Sequence, residues 1–229
     1  MPVVAIFFPV EIAITITAMV HLANNLFKAA LLGRHANRAV LTGFGIPAVI
    51  FAFIGALALG WLSGAATIFE YVALGRQMQV LPIKLIVGFL ILGFVVLELS
   101  PQFSAIALDK KYMPLGGVVS GLFGGLSGHQ GAFRSMFLIK AGLSKEEFVA
   151  TGVMLAVMVD ISRMLVYGWD ISTQHQAIEW SLVIAASVSA FTGAYFGSKI
   201  LKKLTIRAIQ LLISALLAIV SLGLISGTL

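Results

Sequence analysis

The charges of this chain are gathered between apolar runs, and each run is long enough to cross a lipid bilayer. The runs cover residues 10–32, 39–62, 81–99, 144–167, 178–198 and 205–226. About 20 apolar residues in a helix span the hydrocarbon core. Only 10% of the 229 residues are charged and 60% are hydrophobic, whereas a soluble domain carries about 25% charged residues. The pattern predicts an all-α polytopic membrane protein built as one domain over 1–229. In such a chain the net charge of +6 reports topology rather than nucleic-acid binding. The absence of cysteine excludes disulfides, thiol redox chemistry and thiolate metal sites. The opening Met1-Pro-Val-Val-Ala-Ile-Phe-Phe-Pro9 lacks the basic region of a cleavable signal.

One stretch breaks the apolar pattern. Pro114 to Gly142 carries glycine at 116, 117, 121, 124, 125, 128 and 131, followed by the polar side chains His129, Gln130 and Arg134. Each glycine inside a helix costs roughly 1 kcal/mol relative to alanine. Non-helical backbone at membrane depth is tolerated where protein or a water-filled cavity covers it, and transporters place substrate sites at such broken helices. The stretch therefore reads as a broken, re-entrant segment. The plainer reading is a spanning helix whose small residues allow close packing.

The two halves of the chain resemble each other. Displaced by 135 residues, Glu11 falls on Glu146, Asn25 on Asp160, Lys28 on Arg163 and Gly33 on Gly168. A polar–x–x–basic pattern thus recurs as Asn25-Leu-Phe-Lys28 and Asp160-Ile-Ser-Arg163, and residues three apart share a helix face. With small changes of offset Gly55 falls on Gly193 and Lys84 on Arg207. Repeat one is 1–100, a connection covers 101–113, and repeat two is 114–229. Each repeat has about three spans. The first copy lacks the Gly-rich segment, which predicts either ~25–30 further residues upstream, about a spanning length, or completion by a neighbouring subunit.

Charge argues the topology. If 114–142 dips in and returns, the basic loops 33–38, 100–113 and 199–207 share the cytoplasmic side, as the positive-inside tendency requires. Loops 63–79 and 168–177 then lie outside. An odd number of crossings per copy makes the two repeats inverted, as in many secondary transporters.

Several motifs resemble the TauE/SafE family of sulfite exporters: Ser120-Gly-Leu-Phe-Gly-Gly-Leu-Ser-Gly-His-Gln-Gly131, Ala141-Gly-Leu-Ser-Lys145, and Ala150-Thr151 leading to Asp160. Phe8-Pro9-Val10-Glu11, Ala18, Asn25 and Lys28 carry matching traits in the first copy. The resemblance implies an inner-membrane permease or exporter for a small anion, such as sulfite or a sulfonate like sulfoacetate, needing no cofactor or metal. It also implies a coupling proton or sodium ion and is compatible with a homo-oligomer. The missing first Gly-rich segment departs from the family's pattern.

Ionisable residues inside a membrane are functional candidates because their desolvation is costly. Gly128, His129, Gln130, Gly131 and Arg134, with Asn25 from the first copy, are the candidate substrate-binding residues. Exposed backbone N–H groups suit an anion and a guanidinium presents a planar fork to an oxyanion. The bland alternative has Arg134 snorkelling to the interface. Lys28, Asp160 and Arg163 are candidates for a coupling group or for an ion pair between or within helices. His21 reads as a hydrogen-bonded packing residue or a titrating group. Glu11 and Glu146 read as first-turn acids that favour the helix dipole. Ser144-Lys-Glu-Glu147 matches a capping box. Thr15, Thr17 and Thr151 read as helix-packing residues.

An intramembrane enzyme is disfavoured because His21, His35, His129 and His175 have no metal-ligand spacing, and Ser127 with His129 is a weak pair. A structural or assembly membrane protein is the remaining alternative, but one with no evident use for a repeat or for buried polar groups.

Overall fold

The computed structural model describes residues 10–73, 75–104, 108–128, 130–174, 180–200 and 206–228. It is mostly helical. The main helices are α1 (Val10–Leu32), α2 (Ile46–Ser63), α3 (Pro82–Leu99), α4 (Met113–Ser127), α5 (Gly131–Leu138), α6 (Lys145–Gln174), α7 (Trp180–Ile200) and α8 (Ile206–Ser226). A helical turn Arg38–Val40 and a π-helical stretch Leu41–Gly45 lead into α2. Three helical runs among the described residues are long and apolar enough to cross a membrane: Ile12–His35, Arg38–Leu62 and Lys145–Gly168. The other three expected spans are helices of 18, 21 and 21 residues with shorter described apolar stretches. Phe53, Ile54 and Leu57 on α2, Phe89 and Val96 on α3, and Ile219 and Leu222 on α8 face outward, as lipid-facing side chains do.

The all-helical expectation is corrected between α2 and α3. Phe69–Ala73 (β1) and Arg76–Val80 (β2) form an antiparallel hairpin turned at Gly75. Strand alternation sorts it into two faces. Met78 and Val80 are buried on one, where the Tyr71 hydroxyl also donates to the carbonyl of Ser226. On the other face Gln79 donates to Glu70 at 2.9 Å.

The core divides between the two ends of the helices. Ile14, Ala18, Leu59, Ile83, Val87, Tyr167 and Leu224 pack together at the hairpin end. Val40, Phe44, Met113, Phe137, Leu138, Ala141 and Leu155 pack at the other.

Helices α1 and α6 run antiparallel. Gly33 faces Met154, Asn25 meets Asp160, and Ile14 shares a cluster with Tyr167. Helices α3 and α8 also run antiparallel, with Gln79 just before α3 beside Gly227 and Gly88 against Ser221 and Ile225. The basic ends converge. The amide of Asn37 donates to the Thr151 hydroxyl at 2.9 Å and its side chain donates to Glu147 at 3.4 Å. Lys110 lies beside Gly142. The first turn of α6 is closed by the reciprocal bonds of a capping box: Ser144 N–H to the Glu147 carboxylate at 2.9 Å and Glu147 N–H to the Ser144 hydroxyl at 3.2 Å. Glu146 is exposed. Thr17 donates to Ala13 within its own helix. The side chain of Glu11, the loop at 201–205, and His129 and His175 lie outside the described residues.

The Gly-rich stretch is helical through most of its glycines, despite their poor propensity, and the reason lies in its neighbour. Gly117, Gly121 and Gly125 recur every four residues and face the backbone of α2 and its lead-in. A Cβ added at these positions would lie 2.2, 2.2 and 2.1 Å from the carbonyl oxygens of Phe44, Ala48 and Ala52. Ala48, Ala52 and Ala56 are fully buried opposite them. Small residues at this spacing let two helix backbones touch, and that packing outweighs the propensity cost.

The helix ends at Gly128, whose φ of +78° is the left-handed conformation common after a helix C-terminus. Helix α5 then doubles back. Phe137 covers Gly116 and Leu108 N–H donates to Met136 O at 3.1 Å. With 15 and 8 residues, α4 and α5 rise roughly 22 and 12 Å, too short for either to cross a ~30 Å hydrocarbon core.

Candidate functional site

The turn between α4 and α5 faces a cavity of about 240 Å³. Its walls are His21, Asn24, Asn25 and Lys28 of α1, Gly128, Gln130, Gly131 and Arg134 of the turn and α5, and Ala156 and Asp160 of α6. The helical period explains the α1 wall, since positions 21, 24, 25 and 28 lie on one face. Gln130 is buried at the start of α5, and its carbonyl accepts from the Ser120 hydroxyl at 3.3 Å and from Arg134 N–H at 3.1 Å. The first bond ties the turn to α4, and the second closes the first turn of α5. The Tyr167 hydroxyl donates to the carbonyl of Gly125, so α6 holds the end of α4 as well.

Asp160 is buried, and each of its oxygens has a partner. Its carboxylate accepts from Asn25 Nδ2 at 2.8 Å and pairs with Arg163 Nη2 at 2.8 Å. Arg163 is buried too and lies under the turn. Any Cβ at Gly128 would sit 2.5 Å from Arg163 Nη1. The pair lies nine residues beyond Thr151 on α6, a rise of roughly 14 Å, about half the thickness of a hydrocarbon core.

Arg134 is held differently. Its Nη1 is buried without a hydrogen-bond partner, as are Asn24 Oδ1 on the facing wall and Arg163 Nε behind the turn. Buried polar atoms are almost always paired, so an unsatisfied donor (Arg134 Nη1) and an unsatisfied acceptor (Asn24 Oδ1) at a cavity are a place for a ligand to fill. Behind α5, Phe133 stacks on Phe123 with ring centroids 5.1 Å apart, and Phe94 meets both edge-on. This cluster fixes α5 against α3 and α4 and therefore fixes the root of Arg134.

Among the residues singled out in the sequence, the structure brings Gly128, Gln130, Gly131, Arg134, Asn25, Lys28 and Asp160 to one cavity. Arg163 stands just behind it. His129 lies outside the described residues. His21, expected to be either a packing or a titrating residue, is a wall residue with an exposed side chain. Asn24 was not singled out. Its position one turn from His21 and Lys28 was the available signal. A larger recess of about 600 Å³ along the end of α8 is lined by Ile219, Leu222 and Ile225 among others, and it lacks charged groups. Among the described residues no three metal-ligating side chains converge.

The family pattern for Sulfite exporter TauE/SafE matches residues 1–224. The chain belongs to this family. It is therefore a membrane protein of a transporter family whose name refers to export of a sulfur anion. No curated relative and no solved structure matches it. For a TauE/SafE chain, a small polar cavity between a broken helix and two crossing helices is the feature that requires a chemical account.

Proposed function

We propose that the protein is a multi-pass inner-membrane secondary transporter for a small anion, a sulfur oxyanion or sulfonate, bound at the turn between α4 and α5. The observation that carries this reading is the unpartnered, buried Arg134 Nη1 in a cavity shared with Lys28. A guanidinium there offers its fork to an oxyanion, and Gln130, Asn25 and the glycine backbone of the turn supply further donors. Glycine at 128 and 131 lets the ligand approach the main chain. Asp160, held by Asn25 and Arg163, is the group suited to couple transport to a proton.

The re-entrant topology is part of the proposal. The return of α5 along α4 and the shortness of both helices support it. So does the convergence of Arg34, Arg38, Lys110 and Lys145 at one end, which the positive-inside tendency assigns to the cytoplasm. Antiparallel contact between α1 and α6, which the repeat equates, supports inverted repeats.

Liposome flux tests the function. A panel of sulfite, thiosulfate, sulfonates and short carboxylates, with and without a pH gradient, should reveal saturable flux of at least one sulfur anion. Arg134→Ala should abolish it while leaving expression and detergent melting largely intact. Equal loss of folded protein would make Arg134 structural and sink this assignment.

A further inference from the structure

Among the described residues the charges around the cavity do not cancel. The ionisable groups among those residues that face it or stand directly behind it are His21 and Lys28 on α1, Arg134 on α5, and Asp160 and Arg163 on α6. Asp160 and Arg163 neutralise each other at 2.8 Å, and the other carboxylate oxygen accepts from Asn25. Of the permanently charged side chains among the described residues, two cations are left. Arg134 has a buried nitrogen with no partner, and Lys28 takes part in no ion pair among the described residues. They stand on different elements, α1 and α5, and both line the cavity. In a medium of low dielectric, two like charges without counterions are costly and each gains strongly from a close opposite charge.

Resting on the reading of this cavity as an anion site, we propose that it selects small doubly charged oxyanions over singly charged ones of the same size and shape. Lys28 takes one negative charge and Arg134 the other. A monoanion leaves one cation uncompensated. The volume of about 240 Å³ lies below the ~300–1,000 Å³ of sites for drug-sized ligands, which restricts the ligand to a compact group. Lys28 is thus the residue that sets charge selectivity, and Arg134 the residue that sets anion binding itself.

Sulfate and methanesulfonate test this directly, because both are tetrahedral and a methyl replaces one charged oxygen. Their affinities for the full chain in nanodiscs can be measured by calorimetry. Sulfate should bind about tenfold or more tightly, the scale of a close charge pair at an interface. Lys28→Met should remove most of that preference by weakening sulfate alone, and Lys28→Arg should retain it. Equal wild-type affinities overturn the inference, as does a preference that survives in folded Lys28→Met. If Arg134→Ala still abolishes binding of both anions, the anion site itself stands in either case. Wild-type protein that binds neither anion, or Arg134→Ala that binds both normally, overturns the site and this inference together. The wild-type ratio needs no variant, so the test holds even where Lys28→Met fails to fold.

Discussion

Asn25 donates its side-chain amide to the carboxylate of Asp160 at 2.8 Å, and the two residues are separated by 135 positions. That is the displacement that aligns the first half of the chain with the second. The bond joins α1 to α6 between the Gly33–Met154 contact on one side and the packing of Ile14 with Tyr167 on the other. The candidate anion cavity opens beside it. A buried carboxylate requires compensation, which Arg163 supplies from α6 and Asn25 from α1.

This arrangement predicts an order of costs. Asp160→Asn leaves the buried Arg163 without its counter-charge and should cost about 3–5 kcal/mol. Asn25→Leu removes one neutral donor from a carboxylate that keeps its salt bridge, and should cost ~1–3 kcal/mol. Thermal melting in detergent distinguishes them. If Asn25→Leu proved the more damaging, Arg163 would not depend on Asp160.

The glycine stripe of α4 predicts opposite outcomes for one chemical change. Gly125→Ala places a methyl 2.1 Å from the Ala52 carbonyl oxygen and should force α4 off α2, with loss of folded protein. Gly93→Ala on α3 meets nothing within 4 Å and should be neutral or stabilising by up to ~1 kcal/mol through helix propensity. Melting temperatures of the two variants check this pair.

Gly128 should tolerate no side chain. Its positive φ costs an L-residue roughly 1–2 kcal/mol, and a Cβ would displace Arg163 from beneath the turn. Gly128→Ala should therefore lower both melting temperature and anion affinity. Normal affinity in a folded Gly128→Ala protein would show that the turn does not shape the cavity.

Topology can be read by labelling, since the chain has no cysteine of its own. Single cysteines at Arg38, Lys145 and Lys203 should react from the cytoplasmic face, and one at Glu70 from the opposite face. Opposite accessibility of positions 38 and 203 would refute the re-entrant segment.

Some of this was legible from local sequence. Ser144 and Glu147 stand three apart before an apolar run, and their reciprocal bonds are present, because a capping box involves only four consecutive residues. The hairpin of β1 and β2 falls, but for Val80, within the expected loop 63–79, where Phe69, Tyr71 and Val80 with Gly75 between them are the strand and turn residues. Each strand has only five residues, too few for a clear alternating pattern. For the glycines of α4, propensity counts each residue alone and argues against a helix, while the small-residue alternative needs a partner helix to pack on. Their spacing of four matters only when a second helix with Ala48, Ala52 and Ala56 lies opposite, and propensity yields to such tertiary packing.

The chain's membrane character, the positions of its apolar spans and the glycine-dense interruption were determined by sequence alone, because each follows from the hydropathy and backbone preference of neighbouring residues. The tertiary structure decided which glycines pack and which one turns. It also decided that Asn25 meets Asp160 and that Lys28 and Arg134 face one cavity. Those relations join residues more than 100 positions apart, and they depend on how helix faces are rotated against each other. Packing sets that rotation, so it is not written in any single stretch of the chain.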